Sequence, residues 1–194
     1  MMRAKLAVLS GVALSGAAAL IAGSQTWVSF MLDGTHTVET VTGNAANAAL
    51  APVSVALIAA ALALTIAGRV FRRVLGALVA LLGAGLVALA GGVLADPLGA
   101  AGGRITELTG IAGGAAGSAV LWSDTSVWGW VSVLAGVLAV VLGAIVLLFS
   151  GRWGSAGRKY DSAPTAAGAA GGAPDRISDW DSLSDGTDPS DDFR

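Results

Sequence analysis

Residues 49–94 read ALAPVSVALIAAALALTIAG (49–68), RVFRR (69–73) and VLGALVALLGAGLVALAGGVL (74–94). Two uncharged apolar runs thus flank a short segment that holds Arg69, Arg72 and Arg73. At ~1.5 Å of rise per residue, either run spans the ~30 Å of hydrocarbon in a bilayer. Arginine enters hydrocarbon only at a cost, so the three cations pin the turn to one membrane surface, among the lipid head groups. The stretch predicts a helical membrane hairpin, and the side of every other loop follows from the side of that turn.

The whole chain fits such a setting. It has 194 residues, of which 55% are hydrophobic and 12% charged, about half the usual charged share. Mean hydropathy is +0.75. The formal charge of −2 conceals an asymmetry: residues 1–174 carry nine Lys/Arg against six Asp/Glu, and residues 175–194 carry two Arg against seven Asp. Neither part has the basic stripe that nucleic-acid binding requires. With no cysteine, disulfides and thiolate chemistry are excluded, and a single histidine, His36, leaves no His cluster for a metal. No cofactor is expected.

Working outward, Arg3 and Lys5 precede an apolar run at 6–23. Its layout also suits a cleaved signal peptide ending near Ser24, but the chain stays apolar through Trp27, Val28 and Phe30, which favours a retained first helix. Segments 25–32 and 35–42 flank Asp33-Gly34 and predict a β-hairpin on the outer surface, with Trp27 at the membrane interface. Gly43–Ala48 reads as a turn back into the bilayer. Pro52 sits in the first turn of the second helix, 49–68, where a missing N–H costs little. The third helix is 74–94.

Residues 95–126 read as a Gly/Ala-rich outer loop in which only Arg104–Leu108 has helical character, and Ser118–Trp122 is a candidate third strand. The fourth helix is 127–150, opened by Trp128 and Trp130. Gly76, Gly83 and Ala90 recur every seven residues in the third helix, and Gly129, Gly136 and Gly143 do so in the fourth. Such spacing keeps one face of each helix narrow and predicts a left-handed antiparallel bundle, with Val140 and Leu147 turned to lipid.

Beyond the fourth helix, Arg152-Trp153 and Arg158-Lys159-Tyr160 place aromatic and cationic anchors at the interface. Residues 161–175 read as a disordered linker between the membrane domain, 1–160, and an acidic tail, 176–194. In that tail Ile177, Trp180 and Leu183 fall on one helical face, Ser178 with Asp181 resembles a capping pair, and Gly186 can end the helix. Arg3, Lys5, Arg69, Arg72, Arg73, Arg152, Arg158 and Lys159 all fall on one side of this topology, against Arg104 alone on the other. The positive-inside rule therefore places both termini in the cytoplasm.

The fold expected is an all-α membrane protein: a four-transmembrane-helix bundle with a small extracytoplasmic β-hairpin and a disordered cytoplasmic C-terminal tail. No catalytic or metal-binding residue is assigned. The four runs contain no Asp, Glu, Lys, Arg or His, the usual mark of proton relays and ion pathways. Asp96 and Glu107 lie in a loop too irregular to hold an acid–base pair, and His36 beside Glu39 reads as an exposed strand residue. Ser10, Ser15, Ser54, Thr65 and Ser132 are expected to bond across helices. The anionic inner leaflet repels an acidic tail, so the apolar face of Trp180 and Leu183 favours docking of a cytosolic protein partner. The lipid bilayer is the other expected partner, and a homo-oligomer is admitted.

The chain also resembles the tryptophan-operon-associated transmembrane proteins of actinobacteria. The resemblance rests on Trp27, on Val41-Thr42-Gly43, on Gly68-Arg69 with Arg72-Arg73, and on Arg152-Trp153 with Arg158-Lys159-Tyr160. Its sharpest part is Asp179-Trp180-Asp181-Ser182-Leu183 followed by Gly186-Thr187-Asp188-Pro189-Ser190, where the family tends to have Glu-Asp-Pro-Thr at the end. The resemblance implies a four-helix membrane protein encoded beside tryptophan-biosynthesis genes. It carries no assigned activity. On that setting, the alternative to an adaptor is a carrier or accessory subunit for an uncharged aromatic metabolite such as tryptophan or indole.

Overall fold

The computed structural model describes residues 2–111 and 117–149. The chain is mostly helical, in the order α1 (Met2–Ser24), β1 (Thr26–Leu32), β2 (Val38–Thr42), α2 (Gly43–Ala46), α3 (Leu50–Ile66), α4 (Arg69–Ala95), α5 (Pro97–Thr109), β3 (Val120–Thr125) and α6 (Trp128–Phe149). Among the described residues, three stretches are long and apolar enough to cross a membrane: Leu6–Ser24, Val70–Ala95 and Trp128–Phe149. The apolar helix α3 is shorter, 17 residues, or about 26 Å. The expected second helix, 49–68, stops at Ile66 because Ala67 turns extended (φ −65°, ψ 130°). Helix α4 packs on α3 and α6, and α1 packs on α3 and α6, so the four long helices close a ring.

The tightest contact is between α4 and α6, which run antiparallel. A Cβ added at Gly143 would lie 2.6 Å from the Ala80 nitrogen and 2.8 Å from the Gly76 carbonyl oxygen. One added at Gly83 would lie 2.8 Å from both the Gly136 carbonyl oxygen and the Val140 nitrogen. At Gly136 it would meet the Gly83 oxygen at 2.9 Å, and at Gly129 the Leu94 side chain at 2.7 Å. Backbone touches backbone along this seam, a distance only glycine permits. Val140 is half-buried beside Gly83 rather than turned to lipid, because the two helices pack closely enough to enclose the positions flanking the glycines. Helix α1 meets α3 in the same way at Gly16, whose added Cβ would lie 3.0 Å from the Ser54 carbonyl oxygen.

The hydroxyls do not bond across helices as expected. Ser10 donates to Leu6 O, Ser15 to Val12 O, Ser54 to Leu50 O and Thr65 to Leu62 O, each within its own helix. The carbonyl three or four residues back is always within reach of a Ser or Thr hydroxyl. Ser132 Oγ is buried with no partner among the described residues.

At one end of the ring lies a three-stranded antiparallel sheet in the order β2-β1-β3, not a two-stranded hairpin. The third strand is Val120–Thr125, shifted from the expected Ser118–Trp122. In β1, Val28, Phe30 and Leu32 face the core and Ser29 and Met31 are half-buried. The β1–β2 turn also differs from a two-residue Asp-Gly connection. That connection needs φ > 0 at both central residues, and only Gly34, at φ +77°, has it. Thr35 N bonds Leu32 O (3.2 Å), closing a turn with Gly34 third in it, and the partner strand resumes only at Val38, opposite Met31.

Two segments read as loop or turn are helices. Gly43–Ala46 forms one helical turn whose Ala45 N–H is capped by Thr42 Oγ1. The expected irregular loop after α4 begins with α5, which Asp96 caps by accepting from Gly99 N (2.9 Å) and Gly110 ends in the left-handed conformation, φ +72°.

The α4–α6 seam gives the first expected outcome. Gly143→Leu should destabilise the protein by about 1–3 kcal/mol through overpacking. Gly85→Ala, on a face of α4 where an added Cβ meets nothing within 4 Å, should be neutral or stabilise by up to ~1 kcal/mol. Unfolding curves in detergent for the two variants check this; equal tolerance at both positions would remove the seam's special role.

Candidate functional site

The charged side chains that the structure describes gather at the two ends of the helices. At the end away from the sheet, α3 and α4 are joined by Ala67-Gly68 alone. The three arginines do not form a loop between helices: Arg69 opens α4, and Arg72 and Arg73 lie in its first turn or just beyond. Helical geometry then separates their roles. Arg73 is exposed, while Arg72 is only 4% exposed and its Nη2 donates to Ala67 O at 3.0 Å. Ala67 is the residue at which α3 ends, so the guanidinium satisfies a carbonyl at a helix C-terminus, where a cation is also favoured by the helix dipole. An apolar cleft of about 580 Å³ opens beside this turn, lined by Ile66, Val70, Phe71 and Leu75 among others.

The sheet end is organised by Trp27. It does not lie exposed at the interface. Its indole is fully buried and its Nε1 donates to Ala22 O at 2.8 Å, closing the last turn of α1. A bulge between Thr26 and Val28 turns Trp27 and Val28 inward together. A Cβ on Gly43 would lie 2.5 Å from the indole, so that ring and Gly43 occupy adjoining space only because glycine stands there. Ser126 links the third strand to the same point, its N–H donating to Trp27 O (2.8 Å) and its Oγ to Thr26 O.

On α5, Arg104 Nη1 donates to Glu107 Oε2 (3.1 Å) and Nη2 to Glu39 Oε2 on β2 (3.2 Å). The hydrogen bonds that Arg104 donates to Glu107 and then to Glu39 raise its pKa above the ordinary value. A raised cation contributes its stabilisation below its unfolded pKa and loses it only as pH climbs through the still higher folded value, so this contribution is constant across neutral pH. Asp96 and Glu107 serve different ends of α5, the first as its N-cap and the second in the ion pair, and do not meet as an acid–base couple. His36 is exposed in the β1–β2 loop. Among the described residues, no group of three His, Cys, Asp or Glu is placed to hold a metal.

Arg152, Trp153, Arg158, Lys159 and Tyr160, and the tail residues Trp180, Leu183, Asp188 and Pro189, lie outside the described residues. The glycines 129, 136 and 143 face α4 as given above. Sequence reading missed the Arg104–Glu39 pair, which joins positions 65 apart in the chain, and no local signal announces it.

The contrast between the neighbouring arginines gives the second outcome. Arg72→Ala should cost about 1.5–3 kcal/mol, the range for a lost hydrogen bond to a charged group. Arg73→Ala should stay within ~0.5 kcal/mol. Chemical unfolding of both variants in the same detergent checks the difference.

The family model of the tryptophan-associated transmembrane proteins matches residues 9–190, from the first helix through the acidic tail. No curated protein and no solved structure matches the chain. The match covers nearly the whole sequence, and the apolar helices agree with it: the chain is a membrane protein and belongs to the tryptophan-associated transmembrane protein family.

Proposed function

We propose that this protein is a non-catalytic, four-span protein of the plasma membrane with both termini in the cytoplasm, and that it recruits a cytosolic protein through its acidic tail. Four crossings are supported by the sheet. β1 follows α1, β2 precedes α3 and β3 precedes α6, and all three strands pair in one sheet at one end of the helices. The chain must therefore travel to the arginine end and back between β2 and β3, which it does through α3 and α4. At 17 residues α3 is at the short end of spanning lengths. The distribution of cations supports the arginine turn inside and the sheet outside.

The observation that carries the recruiting role is the extent of the family match. It runs to residue 190, so the family shares the tail as well as the helices. A tail that only solvates the chain needs acidic composition but no particular order of residues. The stretch from Asp179 to Ser190, with Trp180 and Leu183 three positions apart, has such an order. The aromatic side chain supplies the anchor and the aspartates select a basic groove on the partner.

Orientation is checked by alkaline phosphatase fusions. Fusions after Val41 and Asp124 should be active and a fusion after Arg73 inactive; activity at Arg73 would reverse the assignment. The tail is checked separately. Trp180→Ala should weaken capture of the partner roughly thirty-fold, corresponding to ~2 kcal/mol for a lost aromatic anchor, while membrane insertion is unchanged. Cross-linked native membranes from wild type and variant are compared for co-purifying cytosolic proteins. Identical profiles would leave the tail without a docking role and favour the metabolite-carrier alternative.

A further inference from the structure

One face of α5, formed by Asp96, Ala100, Gly103, Arg104 and Glu107, borders two adjoining cavities at the sheet end. The first, about 220 Å³, lies between α5 and β2, with Thr40, Val41, Gly103, Arg104 and Glu107 in its wall. The second, about 320 Å³, lies between α5, Asn47 and the end of α4, with Leu89, Gly92 and Val93 in its wall. Ala100 borders both, and the neighbours Ala45 and Ala46 border one each. A Cβ added at Gly92 or at Gly103 would meet nothing within 4 Å, so the space beside both backbones is open. Together the cavities form a groove along α5, with Arg104 and Glu107 in the wall at one end and Leu89, Gly92 and Val93 beside Asn47 and Asp96 at the other.

The charged end has unused bonding capacity of both signs. Arg104 gives one N–H to Glu107 and one to Glu39, and a guanidinium has five. Each carboxylate accepts through Oε2, which leaves Oε1 of Glu39 and of Glu107 without a hydrogen bond among the described residues. Donors on a permanent cation and acceptors on two anions therefore stand side by side. A ligand with only a carboxylate meets two like charges there, and one with only an ammonium leaves Arg104 unused. A ligand carrying both, a few ångströms apart, satisfies the whole set.

We infer that this groove binds a small free α-amino acid as its zwitterion. Its carboxylate meets Arg104, its ammonium meets Glu39 and Glu107, and its side chain lies toward Leu89, Gly92 and Val93. The inference is independent of the tail, since every residue involved lies between β2 and α5.

The test is calorimetric titration of the purified full chain with a panel of L-amino acids from alanine to tryptophan, each paired with the amine lacking its carboxylate and the acid lacking its ammonium. At least one amino acid should bind, and its amine and acid counterparts should bind about tenfold or more weakly, as expected for losing a charged hydrogen-bonding group at a partly exposed site. Arg104→Gln and Glu107→Gln should each produce a similar loss. Gly92→Leu fills the slot without touching the charges and should shift preference toward the smallest side chains. The panel and Gly92→Leu remain decisive if either glutamine variant fails to fold. Absence of binding across the panel at low millimolar concentrations overturns the inference. So does equal binding of amine, acid and zwitterion, or wild-type binding by both folded glutamine variants.

Discussion

The contact on which the rest of the structure depends is the approach of the α4 and α6 backbones at Gly76, Gly83, Gly136 and Gly143. In a bilayer, helices gain nothing from hiding apolar surface from one another, because lipid tails are equally apolar. Attraction must come from atoms in close contact, and the described hydroxyls add none across helices where they bond to their own backbone. Removing the side chain at each contact lets the two main chains supply that attraction themselves. The seven-residue interval also fixes alignment. Gly76 lies against Gly143 and Gly83 against Gly136, so a step up one helix matches an equal step down the other.

The long helices were legible because apolar runs and glycine intervals are local patterns, repeated often enough to survive a poor choice of boundary. The arginine turn was legible in position and not in form. Charge density between two apolar runs looks like a loop, yet α4 starts immediately after Gly68, and Arg72 pairs with the end of α3 from inside the helix. Helix α5 was hidden by its Gly/Ala content, although Asp96-Pro97 at its start and Gly110 at its end are the residues that favour a helix cap, a first turn and a left-handed stop. The Asp33-Gly34 signal misled because a turn is selected by both strands it joins, and β1 is also held by β3, with Asp33 N bonding Ala119 O at 2.8 Å. Trp27 was read from its neighbours in sequence, whereas its place is set by a bulge and by a glycine sixteen positions later.

The two ends of the ring are held by different means. At the arginine end, α3 and α4 are joined by two residues and by the hydrogen bond from Arg72 to Ala67. At the other end, the strands attached to α1, α3 and α6 form one hydrogen-bonded sheet, and Trp27 ties the first of them back to α1. Helix α4 contributes no strand there. It continues instead into α5, which reaches the sheet through Arg104 and Glu39.

That arrangement explains why a groove opens beside α5. The strands are fixed to one another by main-chain bonds that leave no gap between them. Helix α5 follows α4 through the single residue Asp96 and meets β2 through long side chains, whose reach sets a wider separation than backbone pairing does. The small residues Ala45, Ala46, Ala100 and Gly103 leave that separation unfilled. The ion pair between Arg104 and Glu39 therefore secures α5 to the sheet across the wall of the groove.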